Sequence, residues 1–267
     1  MLPKRYWQEM TTLDFAQSNT SGWIAILPVA AIEQHGPHLP VATDTVINEG
    51  NIAAMLAKLP DALPVTILPI QAVGKSNEHI HSPGTLTLSY DTLARVLIEI
   101  GESVARAGVR KLVLANSHGG NIAVLDIVAR ELRVRHDMLC VVASWSRLGQ
   151  PEGVYSEWEQ TYGIHGGDME TSVMLALRPD LVKMDRAKKF RSLQERLEQN
   201  HSQLRAHGAA SFGWIAQDLG PHGTVGDASI ATAEKGHQTI SLVADRFVAL
   251  LADMHAFSLE TLWSADS

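Results

Sequence analysis

Four short apolar runs, separated from one another by stretches of helical period, constrain this chain more than any other feature. Residues 23–27, 65–68, 111–115 and 139–143 are too short for ordinary helices and too uniformly apolar for half-exposed strands. They read as strands buried on both faces, the first ended by Pro28 and the second by Pro69. Between them, apolar residues recur at helical spacing over 44–59, 89–107 and 122–135. In the second of these Leu93, Val96, Leu97, Ile100 and Val104 form one stripe, with Gly108 as its stop. Further helical patterns are expected at 167–177, at 190–206 (polar) and at 230–257, with a loop over 149–164. Buried strands joined by helices must run parallel, because a parallel neighbour is reached only by a crossover. The expectation is an α/β fold in which helices cover both faces of a mainly parallel sheet. With no repeat, low-complexity tract or linker in the sequence, the chain reads as one domain over 1–267.

Composition narrows the partners. With 267 residues, 45% of them apolar, the chain has core material enough to need no disulfide or metal staple. The balance of 29 acids against 22 Lys and Arg, net −7, argues against a nucleic-acid or anionic-lipid surface. The single cysteine, Cys140, allows no intrachain disulfide and suits a reducing compartment. The first ten residues lack the apolar core of a secretory signal, and no run approaches the length of a membrane span. A cytoplasmic protein is expected, with neither nucleic acid nor membrane as partner.

The 12 histidines are distributed in a telling way. In open α/β sheets ligands bind beyond the carboxyl ends of the strands, and each strand here is followed by imidazole or carboxylate. After the first come Glu33, His35, His38 and Asp44; after the second, Glu78, His79 and His81. After the third comes His118 with Gly119 and Gly120; past a longer loop after the fourth come His165, Asp168 and Glu170. If 33–35 stay extended, Glu33 and His35 share one side and reach the same or neighbouring centres. Taken singly, Glu33 and His35 also fit two solvated polar residues, Asp44 a helix N-cap and His118 a core histidine. Taken together on one edge they point to a divalent cation. Oxygen and nitrogen ligands without thiolate suit Zn²⁺, Mn²⁺ or Fe²⁺ rather than a structural zinc knot. The carboxylates suffice for two ions.

Other chemistries lack their marks. There is no GxGxxG or GxxxxGK[ST], although Gly119-Gly120 before a helix leaves a phosphate site open. Cys140 lies in an apolar strand, and Ser117 has no GxSxG context. The aromatic residues around 155–162 fit a pocket roof or a surface interface equally well.

The blocks Leu27-Pro-Val-Ala-Ala-Ile-Glu-Gln-His-Gly-Pro-His-Leu-Pro40 with Thr43-Asp44-Thr45, Ser82-Pro-Gly-Thr85, Asn116-Ser-His-Gly-Gly-Asn121 and His165-Gly-Gly-Asp-Met-Glu-Thr-Ser172 resemble the creatininase family of metal-dependent amidohydrolases. Gly226-Asp227 and Ala233-Glu-Lys-Gly236 continue the likeness in family order, over most of the chain. The resemblance implies a three-layer α/β/α fold, a homohexamer and two divalent metal ions per subunit (Zn, Mn or Fe). It implies Glu33, Asp44 and His118 on one metal, and His35, the bridging Asp44 and Glu170 on the other. His165 becomes the acid/base beside the substrate, and Glu170 joins it in the catalytic set. Glu78, His79, Gly119 and Gly120 are expected to contact the substrate, the two glycines through their amides. Creatininase proper has a glutamate ligand where this chain has Gly120, a tryptophan near Gln160–Gly163, and the family usually a phenylalanine at His81. These departures point away from creatinine. The expected activity is hydrolysis of an amide C–N bond, in a cyclic amide or formamide, by hydroxide held between two metals. A metal-dependent lyase or isomerase and a non-catalytic metal-stabilised scaffold are the alternatives.

Overall fold

The computed structural model describes residues 2–263. In chain order its principal elements are α1 (Thr12–Gln17), β1 (Ile24–Val29), α2 (Thr43–Lys58), β2 (Val65–Ile67), α3 (Tyr90–Arg106), β3 (Lys111–Asn116), α4 (Ile122–His136) and β4 (Leu139–Ser144). There follow α5 (Glu157–Tyr162), α6 (Asp168–Leu177), β5 (Lys189–Phe190), α7 (Leu193–Asn200), α8 (Ala216–Leu219), β6 (Gly226–Asp227) and α9 (Ala233–Ala256). The four expected strands form a parallel sheet in the order β2-β1-β3-β4.

Alternation along the strands builds the layers. Ala25, Leu27 and Val29 of β1, with Leu112 and Leu114 of β3, pack on Leu93 and Leu97 of α3 and on Leu125 and Leu132 of α4. The intervening Ile24, Ile26, Val113 and Ala115 pack on Ile52 and Met55 of α2 and on Val243, Phe247 and Leu251 of α9. Helices thus cover both faces, a three-layer α/β/α arrangement.

The differences from the sequence expectation have local causes. Pro28 lies inside β1 rather than after it. Its carbonyl points to the β2 side and accepts from Gln71 N at 2.9 Å. Its ring nitrogen points the same way, past the end of β2, so the ladder loses no donor. The polar helix expected over 190–206 shrinks to α7. Lys189 and Phe190 pair instead with Asp227 and Gly226, and the capping box of Ser192 and Glu195 starts the helix only afterwards. Within the 149–164 loop, Ser156 accepts from Glu159 N and opens α5. Asp44 does not cap α2: Ala42 occupies that position, and Asp44 sits inside the first turn.

Because the strands are parallel, the segments after β1, β2, β3 and β4 leave the sheet at one edge. The antiparallel bridge His165–Val225 brings 220–227 to that edge as well. Among the described residues, no helix is long and apolar enough to cross a membrane.

Candidate metal centre

Five elements deliver their polar side chains to one point. Glu33 and His35 come from the segment leaving β1, Asp44 from the first turn of α2, and His118 from two residues past β3. Glu170 comes from the first turn of α6, and His165 from the segment before it. Glu33, His35 and Asp44 are 0%, 1% and 2% exposed, so the water that would ordinarily solvate them is gone.

Asp44 stands in the middle. Its Oδ1 is 3.7 Å from His35 Nε2 and its Oδ2 is 3.4 Å from His118 Nδ1. Glu33 Oε1 lies 3.3 Å from His118 Nδ1, and His35 Nε2 lies 3.9 Å from both Glu33 Oε1 and Glu170 Oε2. The outer nitrogens of both imidazoles are tied to backbone. His35 Nδ1 donates to the Glu33 carbonyl at 3.1 Å, and His118 Nε2 to the Lys75 carbonyl at 3.0 Å. The inner nitrogens are therefore the ones free to ligate, with ring orientation already set.

Chemistry of the donors tests whether an ion fits. Glu33 Oε1 and Oε2, His35 Nε2 and Asp44 Oδ2 are buried and have no hydrogen-bond partner. An orphaned buried carboxylate oxygen is costly, and three of them with an imidazole nitrogen around one point are an arrangement that a cation resolves. Two ligand atoms each about 2.1 Å from a tetrahedral ion stand about 3.4 Å apart, close to the spacings found. Glu33–His35–Asp44 and His35–His165–Glu170 are two of the donor groups compact enough to hold an ion.

The electrostatics agree. Burial opposes charge on His35, yet Asp44, Glu170 and Glu33 raise its pKa to about 9. Burial likewise opposes charge on His118, and Glu33 overrides it, raising the pKa well above the usual imidazole range. Burial pushes the Asp44 carboxyl up to about 6, with Glu33 adding to the rise. Without a cation, protons fill the site.

A cavity of about 500 Å³ opens onto this cluster. It is lined by Glu33, Asp44, Glu78, His79, His118, Gly119, Gly120, His165 and Glu170, that is, by every expected site residue except His35, which lies behind them. Glu78 Oε2 accepts from Lys75 Nζ at 2.7 Å, and its Oε1 lies 3.4 Å from His118 Nε2. Burial would raise the Glu78 carboxyl, but His118 and Lys75 bring it down to about 2. A side chain at position 120 would collide with Glu78 and His118, its Cβ 2.7 Å from the Lys75 carbonyl. Glycine there makes room for a carboxylate arriving from another loop.

The opposite wall was not legible in the sequence: His207, Phe212, Trp214 and Leu219 come from a segment with neither period nor motif. The aromatic residues of 155–162 are engaged elsewhere. Tyr155 bonds Thr239 at 2.7 Å, Tyr162 donates to Glu198 at 2.5 Å, and Trp158 carries Lys189 Nζ on its face at 3.8 Å. Burial raises the Cys140 thiol to about 12, as suits a core residue.

Residues 8–251 match the family model described as Creatininase: Creatinine amidohydrolase. The mycofactocin precursor peptide peptidase of Mycobacterium ulcerans (strain Agy99) is 33% identical over 240 residues, covering 87% of this chain and 86% of its own. The creatinine amidohydrolase of Pseudomonas putida is 34% identical over 179 residues, covering 61% and 67%. The solved structure named Creatininase Mn superimposes with a TM-score of 0.74 at 25% identity, over 95% of this chain and all of the other.

Proposed function

The chain belongs to the creatininase family, and we propose that it is a two-metal amidohydrolase cleaving the C–N bond of a cyclic amide or a formamide. The observation that carries this reading is the set of partnerless buried donors on Glu33, His35 and Asp44, facing an open cavity. Glu33, Asp44 and His118 would hold one cation, and His35, Asp44 and Glu170 the other, with one Asp44 oxygen turned to each histidine. Two divalent ions, of which manganese and zinc suit this donor set, would supply hydroxide near neutral pH and polarise an amide carbonyl.

The chain's own residues do the rest. His165 Nε2 donates to the Gln34 carbonyl at 2.7 Å, which leaves Nδ1 to accept a proton from the attacking water. Returning that proton to the departing nitrogen spares it from leaving as an amide anion. The Gly119 and Gly120 backbones line the same cavity, where their amides can meet the developing oxyanion. Glu78, held by Lys75, orients His118 from behind. Glu78→Gln is expected to weaken metal binding by roughly 10-fold, read by titrating metal-free protein with Mn²⁺ or Zn²⁺. Unchanged affinity would return Glu78 to the substrate-contacting role alone.

The test is metal per subunit by plasma mass spectrometry on protein purified without chelator or tag metal. A panel of lactams, N-formyl amines and short peptides in ¹⁸O-water follows. A ratio near two with one ¹⁸O in an acid product is the expected result. A ratio near zero that added Mn²⁺ or Zn²⁺ does not raise would sink the reading.

A further inference from the structure

Gln34 lies between two proposed ligands, yet its side chain points away from both. Its amide is fixed by two backbone groups whose roles are unambiguous. Gly36 N–H donates to Oε1 at 2.9 Å, and Nε2 donates to the Gly223 carbonyl at 2.6 Å. The end that carries hydrogens is thereby assigned. The second hydrogen of Nε2 falls on His79 Nδ1, 2.9 Å away. His79 Nδ1 must accept, so neutral His79 carries its proton on Nε2, the atom 3.5 Å from Glu33 Oε1.

His165 has the reverse arrangement. Its Nε2 is 2.7 Å from the main-chain oxygen of Gln34, which can only accept, so Nε2 carries the proton. Its Nδ1, 3.6 Å from the same Glu33 oxygen, is bare. The 3.2 Å approach of Gln34 Nε2 to His165 Nε2 joins two nitrogens whose hydrogens are committed elsewhere. The two rings lie 4.5 Å apart. The arrangement depends on Gly223, whose φ is +68° and where a Cβ would stand 2.6 Å from Gln34 Nε2.

We propose that Gln34 is a positioning residue that gives the two histidines opposite tautomers, so the cavity offers a donor at His79 Nε2 and a proton acceptor at His165 Nδ1. The pair complements an amide undergoing hydrolysis. His79 Nε2–H is the donor for the carbonyl oxygen as it gains charge, and it keeps its proton throughout. A water O–H proton passes to His165 Nδ1 as the C–O bond forms. As the C–N bond breaks that proton moves to nitrogen, giving acid and amine. The catalytic consequence rests on the hydrolase reading above, whereas the tautomers do not.

Long-range ¹H–¹⁵N correlation on zinc-loaded protein with ¹⁵N-labelled histidine reads the tautomers directly. His79→Asn and His165→Asn variants identify the two spin systems. Expected are an Nε2-protonated His79 and an Nε2-protonated His165 in the unsubstituted protein. In Gln34→Glu, a carboxylate facing His79 Nδ1 is expected to move the His79 proton to that nitrogen. His165 keeps its tautomer, and the metal ratio stays unchanged. An Nδ1-protonated His79 in the unsubstituted protein overturns the proposal whether or not the variant folds. So does a His79 signal indifferent to Gln34→Glu. If the tautomers are as stated and no amide is cleaved, the hydrolase reading fails and the assignment stands.

Discussion

Asp44→Asn is expected to empty the proposed metal centre while leaving the fold intact. Asp44 is 2% exposed and turns one oxygen to each of the two histidines proposed as ligands on either side of it. Glu33 also approaches both histidines, but through the single oxygen Oε1, whereas Asp44 offers a separate oxygen to each. Asparagine keeps the shape but replaces an oxygen with an N–H₂ group. In the metal-free site the inner nitrogens of His35 and His118 carry protons, and the oxygen that asparagine keeps can still accept from one of them. Burial already raises the Asp44 carboxyl to about 6, so the empty site holds that charge at a cost which asparagine removes. The metal-free variant should therefore melt close to the temperature of metal-free unsubstituted protein, because relief of that burial cost offsets the lost attraction to His35 and His118. The loss in metal affinity should exceed the roughly 10- to 100-fold that follows removal of an outer partner. Amide hydrolysis should fall with it. Because a ligand that binds only the folded state stabilises it by mass action, added Mn²⁺ or Zn²⁺ should raise the melting temperature of the unsubstituted protein and leave that of Asp44→Asn unmoved. Two metals per subunit in the variant would refute the bridging role.

The same residues show which parts of the molecule a sequence can disclose. Three strands were legible because both of their faces are buried, so Ile24, Ala25, Ile26 and Leu27 are all apolar; β4, at the edge of the sheet, is apolar although Leu139–Val142 are only half-buried. Pro28 misled because a proline is excluded only where its neighbour needs a donor, and whether β2 extends that far is a tertiary fact. Glu33 and His35 were legible as a pair because period-two geometry is local. Their convergence with Asp44, His118 and Glu170 followed from parallel topology, which brings every strand's carboxyl end to one edge. Gln34 stood in the same short motif and gave no signal. Its meaning comes from the Gly223 carbonyl, 189 residues away in sequence. The wall carrying Phe212 and Trp214 was hidden for a similar reason: 201–215 has little regular structure, and its placement depends on long-range contacts. One is Gln194 Oε1 accepting from Ala206 N at 2.8 Å.

Gly236→Ala is expected to cost about 3 kcal/mol of stability and to weaken the proposed metal centre without touching a proposed ligand. Gly236 lies on α9 where that helix meets α6. A Cβ there would collide with the Ser172 carbonyl, standing 2.6 Å from its carbon and 2.9 Å from Ala176 Cβ. The obstacle is mainly backbone, so it yields only if the helices separate. They are pinned at this point. Lys235 Nζ donates to the buried Asp168 Oδ2 at 2.6 Å, Ser172 Oγ to Asp168 Oδ1 at 2.9 Å, and Thr232 N to Ser172 Oγ at 3.1 Å. Separation therefore strains a network at the start of α6, the turn from which Glu170 reaches toward His35. Urea unfolding of metal-free protein measures the first effect, and titration with Mn²⁺ or Zn²⁺ the second. Gly22→Ala supplies the control, since nothing lies within 4 Å of a Cβ at that position. If the two substitutions cost the same, close helix approach at Gly236 does not set the position of α6. If Gly236→Ala destabilises the fold but leaves metal affinity unchanged, Glu170 is not held in place by this contact. Loss of both together would mean that the α6–α9 contact, which itself holds no proposed ligand, fixes the geometry of the proposed centre.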